Sequence, residues 1–335
     1  MGTGQKRRKR RREHVAKSSL ARIGDGGDAC AAVTAPPSPP RTALLSRRRL
    51  VAGGSLALLV AACGRKTAPE NQAAEGAAPA GPRGTIEWAV AGDWRGPDRQ
   101  RDAWRHPVET LKFFGLEPGM TVVEMWPGAG WYTQILAPFL AATGGKLYTA
   151  GIETPADEAA ASQLDEAYRK TFEARRALYG KVEFTTFGTK SGPLTPPGTA
   201  DLVLFMRNIH DWMAAGLAEK AFRDAFEALK PGGVLGVEQH RAEAGSVQDA
   251  LASDGYVQEA YVKQMAAEAG FKFDKASDIN ANPKDTKSYP FGVWTLPPTR
   301  RSAPVGQPAD PAFDHAKYDA VGESDRMTLR FVKPG

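Results

Sequence analysis

Cysteine and long apolar runs are both scarce in this chain of 335 residues. The 2 cysteines, Cys30 and Cys63, have no partner at the spacing of a zinc site or a redox motif, so no metal site is predicted. The apolar run at 50–62 would span only about 20 Å as a helix, which is too short to cross a bilayer. No internal repeat of fixed period is present, which argues against a repeat architecture.

Acidic residues are scarce at the N-terminal end, and this imbalance explains the net charge of +6. Residues 1–62 hold 13 of the 44 Lys and Arg but only 3 of the 38 Asp and Glu, so the rest of the chain has a net charge of −4. The basic run at 6–12 alone would suggest a nucleic-acid-binding arm. Because the remainder is mildly acidic, we expect no nucleic-acid partner.

The N-terminal segment has the order of features found in an export signal. Twin arginines in 46–49 precede the apolar run at 50–62, and residues 60–63 resemble a bacterial lipobox that ends at Cys63. We therefore predict an extension and signal at 1–62, export by the twin-arginine route, and lipidation of Cys63, which would anchor a periplasmic protein to a membrane. The Ala-, Pro- and Gly-rich residues 63–84 are predicted to form a flexible tether. The alternative is a basic tail with an incidental apolar patch.

From residue 85 onward, short apolar runs alternate with longer amphipathic ones. This alternation predicts one α/β domain over 85–335, doubly wound, with a seven-stranded, mainly parallel sheet and a terminal antiparallel strand. Strands are predicted at 121–126, 146–150, 182–185, 201–206, 234–238, from 271, and at 327–332. Helices are predicted at 107–114, 130–140, from 154 to 180, 214–229 and 256–269, and ordered loops between the last two strands.

Residues 122–130 form a strand that runs into a glycine-containing turn, the arrangement in which backbone can approach a ligand closely. Together with 116–119 and 229–233, this stretch resembles class I S-adenosylmethionine-dependent methyltransferases. More narrowly, the sequences 126–131, 207–212 and 282–285 resemble a family of exported bacterial predicted methyltransferases. The resemblance covers roughly residues 105–335.

The resemblance implies a Rossmann-like fold, S-adenosylmethionine as cofactor, and methyl transfer to a small-molecule acceptor. The cofactor-binding residues that it implies are Glu124, Trp126, Gly128, Ala129, Gly130, Gly151, Glu153 and Arg207. The chain departs from the family pattern at two positions. Trp126 stands where the turn usually begins with glycine, and Gly151 stands near the acidic residue that usually holds the ribose. The indoles of Trp126, Trp131 and Trp212 could face the sulfonium, or they could be ordinary packing.

His210 follows the fourth predicted strand, at the edge of the sheet where ligands of doubly wound folds bind. We predict that it is the base that takes the acceptor proton, with Asn208 orienting a ligand and Asp211 steering the imidazole. The alternative is that Asn208 and His210 cap the following helix. Four further residues form a second group suited to an anionic substrate: Arg105, His106, His240 and Arg241.

Two other functions fit parts of the pattern. A non-catalytic ligand-binding or scaffold lipoprotein on a decayed methyltransferase fold would explain both departures, and it would also fit export away from the cytoplasmic source of the cofactor. A nicotinamide oxidoreductase would need G-x-G-x-x-G after the first strand. The sequence at 128–133 lacks the third glycine, which disfavours that function.

Overall fold

A computed structural model describes residues 81–154 and 159–335 of the chain. The predicted export signal, the lipidation site at Cys63 and most of the tether lie outside the described residues. Within the two described ranges, no helix is both long enough and apolar enough to cross a membrane.

Seven strands form a single sheet in the order β3-β2-β1-β4-β5-β7-β6. Neighbouring strands are parallel except at β7, which is antiparallel to both β5 and β6. This arrangement confirms the predicted fold class. The strands are β1 Thr121–Met125, β2 Lys146–Ile152, β3 Val182–Phe187, β4 Ala200–Met206, β5 Leu229–His240, β6 Lys272–Ser277 and β7 Arg326–Val332.

Helices cover both faces of the sheet, and successive strand residues point to opposite faces. In β1, Val122 packs into the core layer that contains Leu136 and Phe139, whereas Val123 packs into the layer that contains Phe222. The helices are α1 Ile86–Ala91, α2 Asp102–Arg105, α3 Pro107–Phe114, α4 Thr133–Thr143, α5 Ala159–Ala174, α6 Arg176–Tyr179, α7 Ile209–Ala215, α8 Ala218–Ala228, α9 Glu259–Glu268 and α10 Ala316–Asp319. Two 3-10 helices span Asp93–Arg101 and Gly292–Thr295.

Most predicted elements are confirmed within a few residues, but two helices were predicted wrongly. The single helix expected from 154 to 180 is two helices, α5 and α6, because Arg175 leaves the helical conformation with a φ of −116°. The expected single helix at 214–229 is two helices, because Gly216 adopts a left-handed φ of 71° and ends α7. Leu229, expected to end that helix, begins β5. The helix α1 and the 3-10 helix after it lie in a part of the chain for which no element was predicted.

The strand order determines where a ligand can bind. From β1 the chain builds outward through β2 and β3, and it then returns to place β4 on the other side of β1. Adjacent crossovers therefore run in opposite directions at the carboxyl ends of β1 and β4, and a crevice opens at such a point. We call this place the switch point.

Candidate active site

The turn after β1 has the backbone geometry of a glycine turn although it begins with tryptophan. Trp126 adopts a left-handed φ of 42°. Its indole turns inward, donates from Nε1 to the carbonyl of Phe187 over 3.0 Å, and packs edge-on against Phe187 and Trp212. Trp126 is only 8% exposed and belongs to the core. The side chain consequently leaves the outer side of the turn clear.

The two glycines of this turn have different surroundings. Gly128 is exposed, with φ 58°, and a Cβ placed on it would meet no atom within 4 Å. Ala129 is exposed beside it. Gly130 has φ 89°, and a Cβ there would lie 2.7 Å from Phe172 and 3.0 Å from Tyr168 of α5. Gly128 thus faces open space, whereas packing against α5 requires the glycine at 130.

The first residues after β4 hold this turn in place. Asn208 Nδ2 donates to the carbonyls of Met125 and Trp126 over 2.6 and 3.0 Å. The proposed capping role of Asn208 is wrong, because its side chain makes no cap hydrogen bond to α7. Arg207 has a φ of 65°, and its Nη1 is buried 3.6 Å from Glu238 Oε1 with no hydrogen-bond partner among the described residues.

A carboxylate from α5 lies beside Gly151 at the end of β2, where the strand itself has no acidic side chain. A Cβ on Gly151 would lie 3.0 Å from Asp165 Oδ1, which belongs to α5. The other oxygen of Asp165 accepts a 2.6 Å hydrogen bond from Arg169 Nε. Glu153, the alternative acid, instead accepts the N–H of Lys190 over 2.8 Å. Asp165 is therefore the carboxylate beside Gly151, and only the packing of α5 reveals it.

Glu124 lies under the turn rather than on its outer side. The residue is 2% exposed, and its carboxyl accepts a 2.6 Å hydrogen bond from Thr133 Oγ1. The hydroxyl of Tyr168 lies 2.9 Å from the same Oγ1, so it donates to Thr133 and completes a buried chain. Burial raises the pKa of Glu124 to about 8, although the hydrogen bond from Thr133 opposes this shift.

The side-chain amide of Gln239 fixes the tautomer of His210. The backbone N–H of Ile209 donates to Gln239 Oε1 over 3.1 Å, and Gln239 Nε2 donates to the carbonyl of Gly255 over 3.2 Å. Because these bonds identify the oxygen and nitrogen ends of the amide, its second N–H donates to His210 Nδ1, 3.1 Å away. Neutral His210 consequently carries its proton on Nε2, which lies 3.4 Å from Asp211 Oδ2.

His240 ends β5, and its ring centroid lies 5.4 Å from that of His210. Its Nδ1 lies 2.5 Å from Ser324 Oγ. Nε2 of His240 makes no hydrogen bond to any of the described residues, and this atom is not fully buried. Burial, with the positive charges of Arg207 and Arg326, lowers the pKa of His240 well below its usual value. The ring is therefore neutral at pH 7.

A buried group of three arginines and two glutamates lies beneath these histidines, and we call it the arginine–glutamate cluster. Arg105 and Arg326 each lie 2.9 Å from the carboxylate of Glu323. Arg326 Nε also lies 2.7 Å from Glu238 Oε1, which faces Arg207. Burial alone would raise the pKa of Glu323, but the adjacent guanidiniums of Arg105 and Arg326 lower it below its usual value.

The second predicted group is only partly brought together. Arg105 belongs to the arginine–glutamate cluster, and its guanidinium lies 4.8 Å from the ring centroid of Trp131. His106 Nδ1 lies 3.3 Å from Asn280 Oδ1. Arg241 donates to both carboxylate oxygens of Asp325 over 3.0 and 2.8 Å. Of the four predicted residues, His240 is the one that lies against His210.

Sequence reasoning missed several residues of the site, including Asp165, Gln239 and Ser324. Glu238 and Gln239 had a usable signal, because they are polar residues at the end of an apolar strand next to the predicted His240. Asp165 and Ser324 had none, since their positions depend on how distant segments pack. In the part of the chain that the structure describes, no group of three His, Cys, Asp or Glu side chains is arranged to hold a metal ion.

The chain matches no protein-family model and no curated protein. Among solved structures it is similar to an S-adenosylmethionine-dependent methyltransferase from Aquifex aeolicus, at 21% identity over 56% of this chain and 90% of that one, with a TM-score of 0.42. It is also similar to a 1,6-didemethyltoxoflavin-N1-methyltransferase from Burkholderia thailandensis, at 12% identity over 72% and 80%, with a TM-score of 0.39. A cyclase is similar at 17% identity over 71% and 80%, with a TM-score of 0.43.

Proposed function

We propose that the chain is an S-adenosylmethionine-dependent methyltransferase that acts on a small acceptor. The observation that carries this proposal is the conformation of Trp126. Its backbone adopts the left-handed φ that glycine usually supplies, and its indole lies in the core against Phe187 and Trp212. The departure from the family pattern at this position therefore changes the core and leaves the binding side of the turn unobstructed.

The residues at the switch point fit the chemical groups of this cofactor. The open side of Gly128 allows a ligand to approach the backbone of the turn. The buried Nη1 of Arg207 lacks a hydrogen-bond partner among the described residues, and a ligand carboxylate would satisfy it. When bound, S-adenosylmethionine supplies an electrophilic methyl group on a sulfonium.

Asp165 is the residue that we propose for the ribose hydroxyls. Its Oδ2 is held by Arg169, whereas Oδ1 lies beside Gly151 and has no hydrogen-bond partner among the described residues. A carboxylate oxygen in this state accepts hydroxyl hydrogen bonds well. Asp165, on α5, would thus provide the hydrogen-bond acceptor for the ribose that β2 lacks.

The alternative is a non-catalytic protein on the same fold, whose ligand would bind in a surface cavity away from the turn. Two of the surface cavities among the described residues have volumes of about 550 and 450 Å³. The first is lined by side chains that include Tyr289 and Trp294, and the second by side chains that include Arg241. Neither is lined by the turn at 126–130.

Isothermal titration calorimetry with S-adenosylmethionine and S-adenosylhomocysteine tests the proposal. A methyltransferase is expected to bind both compounds to the same site, with competition between them. A protein that binds neither, while circular dichroism shows it folded, would contradict the proposal and favour the non-catalytic alternative.

We also propose that the protein is exported and anchored to a membrane through Cys63. The support is the order of twin arginines, short apolar run and lipobox before a Pro- and Gly-rich tether. A protein exported after folding could carry its cofactor outward in the bound state.

A further inference from the structure

Two imidazoles lie against each other, His210 at the start of α7 and His240 at the end of β5, and their hydrogen-bond partners make them chemically different. We infer that His240, and not the predicted His210, is the catalytic base that accepts the proton of the methyl acceptor. This inference rests on the proposed methyltransferase function. It follows from the lone pair that each ring has available.

His210 has no lone pair to offer in its neutral form. Nδ1 accepts the second N–H of Gln239, and Nε2 carries the proton. Gln239 is fully buried, and its other hydrogen bonds to Ile209 and Gly255 hold the amide in one orientation. If His210 used Nδ1 as a base, a buried N–H of Gln239 would lose its acceptor, which folded proteins avoid. His210 can instead donate a hydrogen bond from Nε2.

His240 has the complementary arrangement. Ser324 Oγ lies 2.5 Å from Nδ1, and a hydroxyl can accept the N–H of this nitrogen. We assign His240 this tautomer, in which the lone pair is on Nε2. Nε2 has no partner among the described residues. Burial and the nearby positive charges keep the ring unprotonated at neutral pH. A base must be unprotonated and within reach of its substrate, and His240 meets the first condition.

The surrounding charge indicates the class of acceptor. The guanidiniums of Arg105, Arg207 and Arg326 in the arginine–glutamate cluster are close enough to His240 to lower its pKa, so they place a positive field on this ring. A positive field stabilises an acceptor that has lost a proton. The site therefore suits an acceptor whose nucleophilic atom carries an ionisable hydrogen, such as a phenol or a thiol. A tertiary amine, which has no such hydrogen, would gain nothing from this base.

The step that follows balances in atoms and charge. The acceptor gives its proton to His240 Nε2, and the electron pair that remains on its oxygen or sulfur forms a bond to the methyl carbon. When bound, S-adenosylmethionine would supply this methyl group and would keep the electron pair of the broken carbon–sulfur bond on its sulfur, as a neutral thioether. The imidazolium of His240 then releases its proton to water, and the ring returns to its starting state.

Diethyl pyrocarbonate tests this assignment without a known acceptor, because it acylates unprotonated imidazole nitrogens that are accessible. The full chain is treated at neutral pH, and the modified histidines are located by peptide mass spectrometry. We expect His240 to be modified roughly tenfold or more faster than His210, whose lone pair is already bonded. Because the base must lie at the site of reaction, bound S-adenosylhomocysteine should slow the modification of His240.

The variant Gln239→Met provides the matched control. It removes the amide that blocks Nδ1, so His210 should become reactive while His240 stays reactive. Faster modification of His210 than of His240 in the wild-type chain would overturn the inference, and so would modification of His240 that S-adenosylhomocysteine does not slow. The wild-type comparison decides the matter even if Gln239→Met fails to fold. If the wild-type chain does not bind S-adenosylhomocysteine in calorimetry, the proposed function fails instead.

Discussion

The hydroxyl of Thr133, at the start of α4, donates a 2.6 Å hydrogen bond to the carboxyl of Glu124 inside β1. Burial of this carboxyl raises its pKa from 4.5 to about 8. Between these pH values the folded state holds a proton that the unfolded state releases. The stabilisation from this group is therefore complete below about pH 4.5 and is lost as the pH rises through about 8.

The variant Glu124→Gln should remove this dependence, since an amide keeps the shape and cannot ionise. Relative to the wild type, the variant should gain about 1.4 kcal/mol of unfolding free energy for each pH unit through that range, with no further gain at higher pH. Urea denaturation of both proteins at several pH values measures the difference. Parallel pH profiles for the two proteins would contradict a raised pKa at Glu124.

The sequence was sufficient to predict the elements whose ends carry local signals. Pro107 and Gly115 bracket α3, and buried apolar runs define β1 and β4. The break at Gly216 was missed because an isolated glycine is tolerated in a helical pattern, and only its left-handed backbone shows that it ends α7.

The location of the site could be predicted from the sequence, but the hydrogen-bond partners of its side chains could not. Parallel strands present their carboxyl ends at one edge, so Gly128, Arg207 and His240 could be grouped from the strand order alone. The partner of His240 is Ser324, which is 84 positions away in the chain. Such contacts depend on how loops and helices pack, and no local pattern in the sequence encodes them.

Gly128→Val should abolish the approach of a ligand to the turn. The side chain would occupy the open space beside Gly128, and the affinity for S-adenosylhomocysteine should fall at least about tenfold, or about 1.4 kcal/mol. Gly130→Val is a poor test, because its side chain would collide with Phe172 of α5 and disturb the fold.

Gly198→Val is the matched control for that experiment. Gly198 has a similar left-handed φ of 65° and open surroundings. It precedes β4, however, and so lies at the amino end of this strand, away from the turn at the carboxyl end of β1. Both variants should lose about 1–2 kcal/mol of stability from backbone strain, and only Gly128→Val should lose affinity in calorimetry. Equal affinities for the two variants would argue against a cofactor contact at the turn.

Cys63→Ser should release the protein from the membrane. A diacylated cysteine anchors a protein stably, whereas a serine at this position cannot be lipidated. Fractionation of cells expressing each form measures the change, and the other cysteine provides the control, since Cys30→Ser should stay membrane-bound. A Cys63→Ser protein that remains in the membrane fraction would refute the anchor.

Asp165→Asn tests whether α5 supplies the acceptor for the ribose hydroxyls. The amide keeps the size of the side chain but removes its charge, so the affinity for S-adenosylhomocysteine should fall roughly 10-fold to 100-fold. The matched control is Asp224→Asn on α8, which also disrupts an i,i+4 ion pair, in this case with Lys220. This variant should leave the affinity for S-adenosylhomocysteine unchanged. Calorimetry on the three folded proteins measures the effect.

The double variant Gly151→Asp/Asp165→Ala returns the carboxylate to the second strand. The φ of Gly151 lies outside the left-handed region, so aspartate can adopt its backbone conformation. The obstacle to a side chain there is Asp165 Oδ1, 3.0 Å from the new Cβ, and the alanine removes it. The double variant should therefore bind S-adenosylhomocysteine more tightly than Asp165→Ala alone. If Asp165→Asn binds as tightly as the wild type, or the transferred carboxylate restores nothing, Asp165 does not hold the ribose and its pairing with Arg169 only stabilises α5.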